Sequence, residues 1–156
     1  MSFRVTGLSP EPFRHLFGLA DEELARHGVR RYRADAKPGF PDRVEISDAE
    51  PGETLLLVNH VHQPADTPYR SRHAIFVNEA ATQTRRTVDE LPGCLAVRPT
   101  IALRAYDAGH MMLDAAVVSG AELEPLILRM LANPDVDYLH AHYAGRGCFA
   151  ARVDRG

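Results

Sequence analysis

The chain contains little that would tie it to a disulfide framework, a membrane or a nucleic acid. Only two of its 156 residues are cysteine. Cys94 and Cys148 stand alone, without a CxxC or CxxH neighbour, which argues against a disulfide scaffold or zinc knuckle. The apolar runs, such as Leu55 to Val58, are far too short to cross a bilayer. The opening MSFRVTGLSPEPF has no apolar h-region of the kind a secretory leader carries. There is no excess of basic residues: 18 Lys and Arg face 21 Asp and Glu, for a net charge of −3. A partner held by nucleic-acid phosphates is therefore not expected, since such domains present a basic face. Lys37 is the only lysine, so arginine supplies nearly all the cations. No P-loop, GxGxxG, GxSxG or HExxH occurs, and nucleotide, serine-hydrolase and zincin mechanisms lack support. No repeat, low-complexity segment or linker divides the chain.

What is present suits one globular domain over residues 1–156, with 45% hydrophobic and 25% charged residues. Phe3 to Val5 reads as a short opening strand. Ser9 before Pro10 is an N-cap signal, predicting a helix over Pro10 to Phe17. DEELARH, Asp21 to His27, is a second short helix with Gly28 as its stop. Val29 to Arg33 and the Val44–Ile46 alternation read as strands. The strongest strand is Thr54 to His62, whose LLLV run predicts burial on both faces. His73 to Val77 follows as its partner, and Ala81 to Val88 reads as an exposed connection. Ile101 to Tyr106 and Met111 to Val118 flank a DAGH turn and form a hairpin pattern.

Ser119 to Glu122 is a capping box that opens an amphipathic helix bearing Leu123, Leu126, Ile127, Met130 and Leu131. Asp137 to Tyr143 and Cys148 to Val153 make a second hairpin around Gly145–Gly147. Helices are few and segregated. The expectation is an α+β fold: a single, mostly antiparallel sheet built from hairpins, with the Ser119 to Asn133 helix on one face.

Four segments, AKPGFP, HQPADTPYRS-HAIF, RAYDAGHMMLDAAVV and GCFAARVD, carry a resemblance over nearly the whole chain. The chain resembles a bacterial family known as domain of unknown function 1203. That resemblance implies no activity. Two departures stand out: a tyrosine often stands in the family where this chain has His60, and a cysteine where it has Asp42.

The chemistry concentrates in NHVHQPADTPYRSRHAIFV, Asn59 to Val77. His62, Gln63, Tyr69, Arg70, Ser71 and His73 crowd one strand–loop–strand connection, which Pro64 and Pro68 stiffen. Arg70 offers a planar fork for carboxylate or phosphate, Ser71 a hydroxyl, and His73 a proton near neutral pH. Lys37, in the other proline–glycine turn, is a second candidate cation, and His140 a further contributor. His62, His73 and Asp114 are the candidates for proton transfer. Asp114 is expected opposite Leu103, on the face of Met112 and Ala116, where burial would raise its pKa. Cys148 reads as an inert core cysteine.

His60-Val61-His62 and His140-Ala141-His142 are both H-x-H pairs, and strand residues i and i+2 share a face. Two such pairs on neighbouring strands supply up to four metal ligands. The spacing from Gly52 to His60 and the lack of a second motif separate the chain from the cupin barrels, which also use this pattern. In the C-terminal hairpin, His142 is expected to face Phe149 and His140 to face Ala151.

Three functions follow as expectations. The first is a cytosolic enzyme or binding protein for a small anionic metabolite, centred on residues 62–73. The second is a non-catalytic interaction or ligand-sensing module using the same loop. The third is a metal-dependent enzyme on the two H-x-H pairs. No cofactor, nucleic acid or membrane partner is expected.

Overall fold

The computed structural model describes all residues from Met1 to Gly156. Its strands are β1 (Phe3–Thr6), β2 (Arg30–Arg33), β3 (Pro41–Asp42), β4 (Ser47–Asp48), β5 (Thr54–Gln63), β6 (Ser71–Asn78), β7 (Arg86–Val88), β8 (Ile101–Tyr106), β9 (Met112–Val118), β10 (Tyr138–Tyr143) and β11 (Phe149–Arg155). The α-helices are α1 (Asp21–Arg26), α2 (Gly93–Ala96) and α3 (Leu123–Leu131), joined by 3₁₀ turns at Glu11–Leu16 and Gly120–Glu122.

The α+β class holds, with one correction: there are two sheets rather than one. The first has the order β7-β1-β11-β10-β8-β9 and the second β2-β5-β6-β3-β4. Every neighbouring pair is antiparallel except β3 with β6. Three of the second sheet's strands, β2, β5 and β6, fall where the sequence places strands, and β3 and β4 add two residues each at its far edge. Ile46, expected in a strand, has a positive φ of 49° and lies in the turn between them.

Local signals explain most of the elements. Gly28, at φ 70°, ends α1 in a Schellman motif: its N–H donates to Ala25 O and that of Val29 to Leu24 O, both at 3.0 Å. Ser9 accepts from the Glu11 N–H at 3.2 Å, but the segment it opens is a 3₁₀ turn. At Ser119 the capping box yields only a long hydroxyl–carboxylate contact of 3.5 Å, and α3 itself starts at Leu123. Part of the expected 81–88 connection is β7, which pairs with β1. The LLLV run is buried as predicted, at Leu55, Leu56 and Val58, with Leu57 half-buried.

One face of the first sheet packs on α3, where Leu103, Leu139, Ala141 and Val153 meet Leu123 and Ile127. The second sheet packs its Leu56, Val58, Ile75 and Val77 on α1 and the 3₁₀ turn, with Phe149 of β11 in the same cluster. The opposite face of the first sheet therefore meets the second sheet. Arg43, fully buried, joins the two: its guanidinium donates to Pro41 O (2.5 Å), Phe149 O (2.8 Å) and Cys148 Sγ (3.0 Å).

Candidate functional site

Strand alternation puts Tyr138, His140 and His142 of β10 on one face, towards the second sheet, while Leu139 and Ala141 face α3. Across β10, Arg104 of β8 and Arg152 of β11 are the direct neighbours of His140. A bulge between Ala141 and His142 produces this register. It preserves the expected pairing of His142 with Phe149 but moves His140 from Ala151 to Arg152.

From the second sheet, β5 runs on to Gln63 and bulges at His62, so the loop shortens to residues 64–70. His62 stacks on Phe149, with ring centroids 5.6 Å apart and planes 9° apart. It lies 5.0 Å from the His142 ring and 6.3 Å from that of His140, and those two rings are 6.3 Å apart. Three histidines separated by about 80 positions in sequence thus form one buried cluster. His60 does not join them; it stands edge-on to Phe13. No group of three or more His, Cys, Asp or Glu is arranged to hold a metal ion, so the four-histidine arrangement is not assembled.

Proton positions follow from the partners. His142 Nδ1 lies 3.0 Å from Gly147 O, and a carbonyl only accepts, so Nδ1 carries the hydrogen. His142 Nε2 is then a bare lone pair, buried and without a partner. His62 Nε2 is 3.0 Å from Ser71 Oγ, which is also 3.0 Å from Tyr69 O. The one hydroxyl hydrogen satisfies both contacts if it goes to Tyr69 O and His62 donates Nε2–H to Oγ. The reverse arrangement leaves an orphaned N–H at the buried His62 Nδ1. In the favoured tautomer His62 cannot take a proton from Ser71, so no serine–histidine nucleophile is formed. His140 Nδ1 and the Tyr106 hydroxyl are also buried and unpaired.

Burial holds all three rings neutral. It pushes His62 down to about 4, His142 to about 3 and His140 to about 2, and nearby cations add to the effect. Arg104 acts on all three rings and His73 on two of them, and no carboxylate is among their strongest electrostatic neighbours. Arg152, by contrast, is neutralised by Asp154 at 2.8–3.0 Å and lies over the Tyr138 ring at 4.0 Å. Arg104 is half-buried and makes neither an ion pair nor a hydrogen bond.

Tyr138 closes the cluster on one side. Its hydroxyl accepts from Gln63 Nε2 at 2.8 Å and is hydrogen-bonded to His110 Nδ1 at 2.8 Å, and its ring stacks on Tyr106 at 5.2 Å.

The sequence candidates divide. His62, Gln63, Ser71 and His140 come together, with Tyr69 edge-on to Tyr106 at 6.3 Å. Arg70 is exposed and donates to Pro64 O at 2.8 Å, closing its own loop. Lys37 pairs with Glu50, with Asp48 and Glu53 also nearby, which raises its pKa. His73 is exposed on β6, opposite His60. Asp114 pairs with Ala105 rather than Leu103; it keeps the face of Ala116, but on the edge strand it is exposed, 3.6 Å from Arg129, and not desolvated. Cys148 is buried, with the Arg43 guanidinium against its sulfur.

Sequence reasoning missed Arg104, Tyr106, His110, Tyr138 and Phe149. The available signal was the polar stripe Tyr138–His140–His142 on a strand whose alternate residues are apolar, matched by Arg104–Tyr106 on β8.

These features define the class: an α+β protein of two largely antiparallel sheets with an imidazole and tyrosine cluster sealed between them. The family described as "protein of unknown function (DUF1203)" matches residues 39–155, and the chain belongs to it. Every residue of the cluster falls within that match. No curated protein and no solved structure matches the chain. No helix is long and apolar enough to cross a membrane.

Proposed function

We propose that this protein binds a small anion, a carboxylate or phosphate, at Arg104, with the His62–His140–His142 cluster as the wall of the site. The observation that carries this reading is Arg104 itself. It is a half-buried guanidinium beside three neutral imidazoles, with no acid among the charges that act on them. A cation in such surroundings forgoes full hydration without a fixed counter-charge, and a mobile anion supplies one. The site differs from the one first expected in the 64–70 loop, because Arg70 is committed to Pro64 O and Lys37 to Glu50. The reading is of a binding protein. The two free, buried thiols suit a reducing compartment, and the cytosol is proposed on that ground.

Binding is expected to change little between pH 7.5 and 6, because rings lowered to about 4, 3 and 2 stay neutral there even beside a bound anion, and to strengthen below pH 6 as His62 begins to take up a proton. Titration calorimetry with acetate and with inorganic phosphate tests the site. Arg104→Gln is expected to weaken the bound anion by about ten-fold or more, the value of one charge-assisted hydrogen bond. Arg70→Ala and Lys37→Ala are expected to leave it within two-fold. Equal losses across the three variants, or no heat with either anion, refute the assignment.

A further inference from the structure

The face of the first sheet that carries the histidines is only partly covered. It is buried at Tyr138, His140 and His142 of β10, at Phe149 of β11 and at Tyr106 of β8. Ala102 and Arg104 of β8 are half-buried, and over β9 the face lies open. Cross-strand partners share a face, so Ala115 lies beside Arg104, and Val117 beside Ala102. Leu113, two residues before Ala115, extends the same row through the β9 bulge. All three β9 side chains are exposed, Leu113 by 45% and Val117 by 61%. Of their alternates, Ala116 and Val118 pack against the α3 core and Asp114 is exposed beside Arg129, so the wholly apolar row of the strand is the one on Arg104's face. β9 is also the outermost strand of its sheet. Edge strands commonly carry a charge or proline on such a row, and this one carries neither.

The result is an apolar shelf two strands wide that runs inward to an unpaired guanidinium and ends at the imidazole wall. We infer that the anion taken at Arg104 is the head of an amphiphile, a soluble straight-chain carboxylate whose tail runs from Ala115 along the β9 row, over Val117 on one side or Leu113 on the other. The inference rests on the anion site proposed above. Charge placement selects this occupant. The one cation on the shelf, Arg104, is half-buried between Ala115 and the buried His140, where a single headgroup reaches it and a flat bilayer does not. The chain's net charge of −3 further opposes an anionic membrane surface. Residues two apart on a strand are separated by roughly 7 Å, so the shelf on either side of Ala115 accommodates a tail of roughly six to eight carbons.

The test is calorimetric titration of the whole chain with acetate, butyrate, hexanoate and octanoate below their micellar range, with octylammonium as the cationic control. A methylene buried completely contributes about four-fold in affinity, and one lying on an open shelf about half that on a logarithmic scale, or two-fold. Octanoate is then expected to bind on the order of 50-fold more tightly than acetate, and octylammonium not measurably. Val117→Thr with Leu113→Thr is expected to remove most of the chain-length gain and leave acetate unchanged. Both positions are exposed and threonine suits a strand, so the fold is retained. Arg104→Gln is expected to weaken all four acids alike.

Equal affinity for acetate and octanoate overturns the shelf and leaves the anion site standing. Failure of every acid to bind overturns both. A chain-length gain that survives the threonine pair, or that octylammonium shares, overturns the shelf. So does a dimer in sedimentation that the threonine pair dissociates, because the row is then covered by a second copy.

Discussion

The three clustered histidines predict a steep loss of stability in mild acid. Their folded pKa values are lowered, to about 4, about 3 and about 2, against about 6.5 in the unfolded chain. Below pH 6.5 the unfolded chain takes up protons that the folded protein refuses, so acid favours unfolding. The stabilisation is fully present above pH 6.5 and falls by about 1.4 kcal/mol per pH unit per ring until the folded values are reached. All three folded values lie below 5, so the loss between pH 7.5 and 5.0 depends almost entirely on the unfolded value. It comes to about 2 kcal/mol per ring, and about 4–6 kcal/mol for the trio once relaxation around His62 is allowed for. That is comparable with the total stability of many domains of this size, about 5–15 kcal/mol. Asp42 and Glu45, raised by burial, take up protons in the folded state and offset part of this loss, while His60, lowered by burial, adds to it. Glu79, the carboxylate pulled furthest down, to about 2 by Arg31, begins to lose its contribution only below about pH 4.5. Urea unfolding at pH 7.5, 6.0 and 5.0, followed by far-UV circular dichroism, measures the slope. His140→Gln removes one titrating ring and is expected to flatten it by about a third. A free energy that changes by less than about 1 kcal/mol from pH 7.5 to 5.0 refutes the burial of three neutral imidazoles.

Other expectations concern the frame around the site. Arg43→Met removes a guanidinium that satisfies Pro41 O, Phe149 O and Cys148 Sγ. After relief of the buried charge, the net cost is expected to be about 2–4 kcal/mol by urea midpoint. Arg43→Lys is expected not to restore it, because an ammonium cannot span three acceptors in one plane. Gly120→Ala places a methyl 2.3 Å from Leu95 O and 2.4 Å from Ala96 O, both backbone, and is expected to cost about 1–3 kcal/mol in thermal unfolding. Glu79→Gln gives up a carboxylate that accepts from Arg31 Nε at 2.7 Å, Arg31 Nη2 at 3.0 Å and Gly18 N at 2.9 Å. A loss of about 1.5–3 kcal/mol at pH 7 is expected, and it should shrink below pH 4.5 as the wild-type carboxylate itself protonates.

Where structure follows from a few adjacent residues, the sequence was a sufficient guide. The LLLV run, the Gly28 stop, the apolar face of α3 and both hairpins all depend on contacts within one turn or one strand pair. Single-residue irregularities were beyond its reach. The bulge beside His142 shifts the register by one and brings Arg152 opposite His140, while the longer turn and the bulge at Leu113 together slide Asp114 two residues, from Leu103 to Ala105, along the same face of an edge strand where it is exposed. The strands β2, β5 and β6 are legible in the sequence, but their separation from the other strands into a second sheet is set by long-range packing that no local pattern carries, and β3 and β4 are too short to show any periodicity. The site was half legible for a related reason. His62 and His140 could be named from their own strands. Arg104 could not, since a lone arginine on a strand reads as solvent-facing until its neighbours on the adjoining strand are known.

The cluster also breaks the rule that the rest of the molecule obeys. Elsewhere the buried faces are aliphatic, as in Leu103, Leu139 and Val153 against α3. Three phenyl or leucine side chains would close the gap between the sheets without leaving His62 Nδ1, His140 Nδ1 and His142 Nε2 unpaired, and would remove the acid sensitivity calculated above. Stability alone therefore does not account for imidazoles at these positions. Sites where a fold departs from its own packing logic are where function is expected, and this one adjoins the one cation that acts on all three rings, Arg104. A bound anion raises the affinity of these neutral rings for protons, and His62, the highest of the three at about 4, responds first as pH falls towards 5. An aliphatic wall would bind the same anion with no such dependence. The decisive comparison is therefore the affinity for sulfate, which keeps its charge throughout, at pH 7.5 and 5.0 for the wild type and His62→Gln, with a gain of up to about two-fold expected at pH 5.0 in the wild type alone. A gain that the substitution leaves unchanged would mean that the imidazoles take no part in the site.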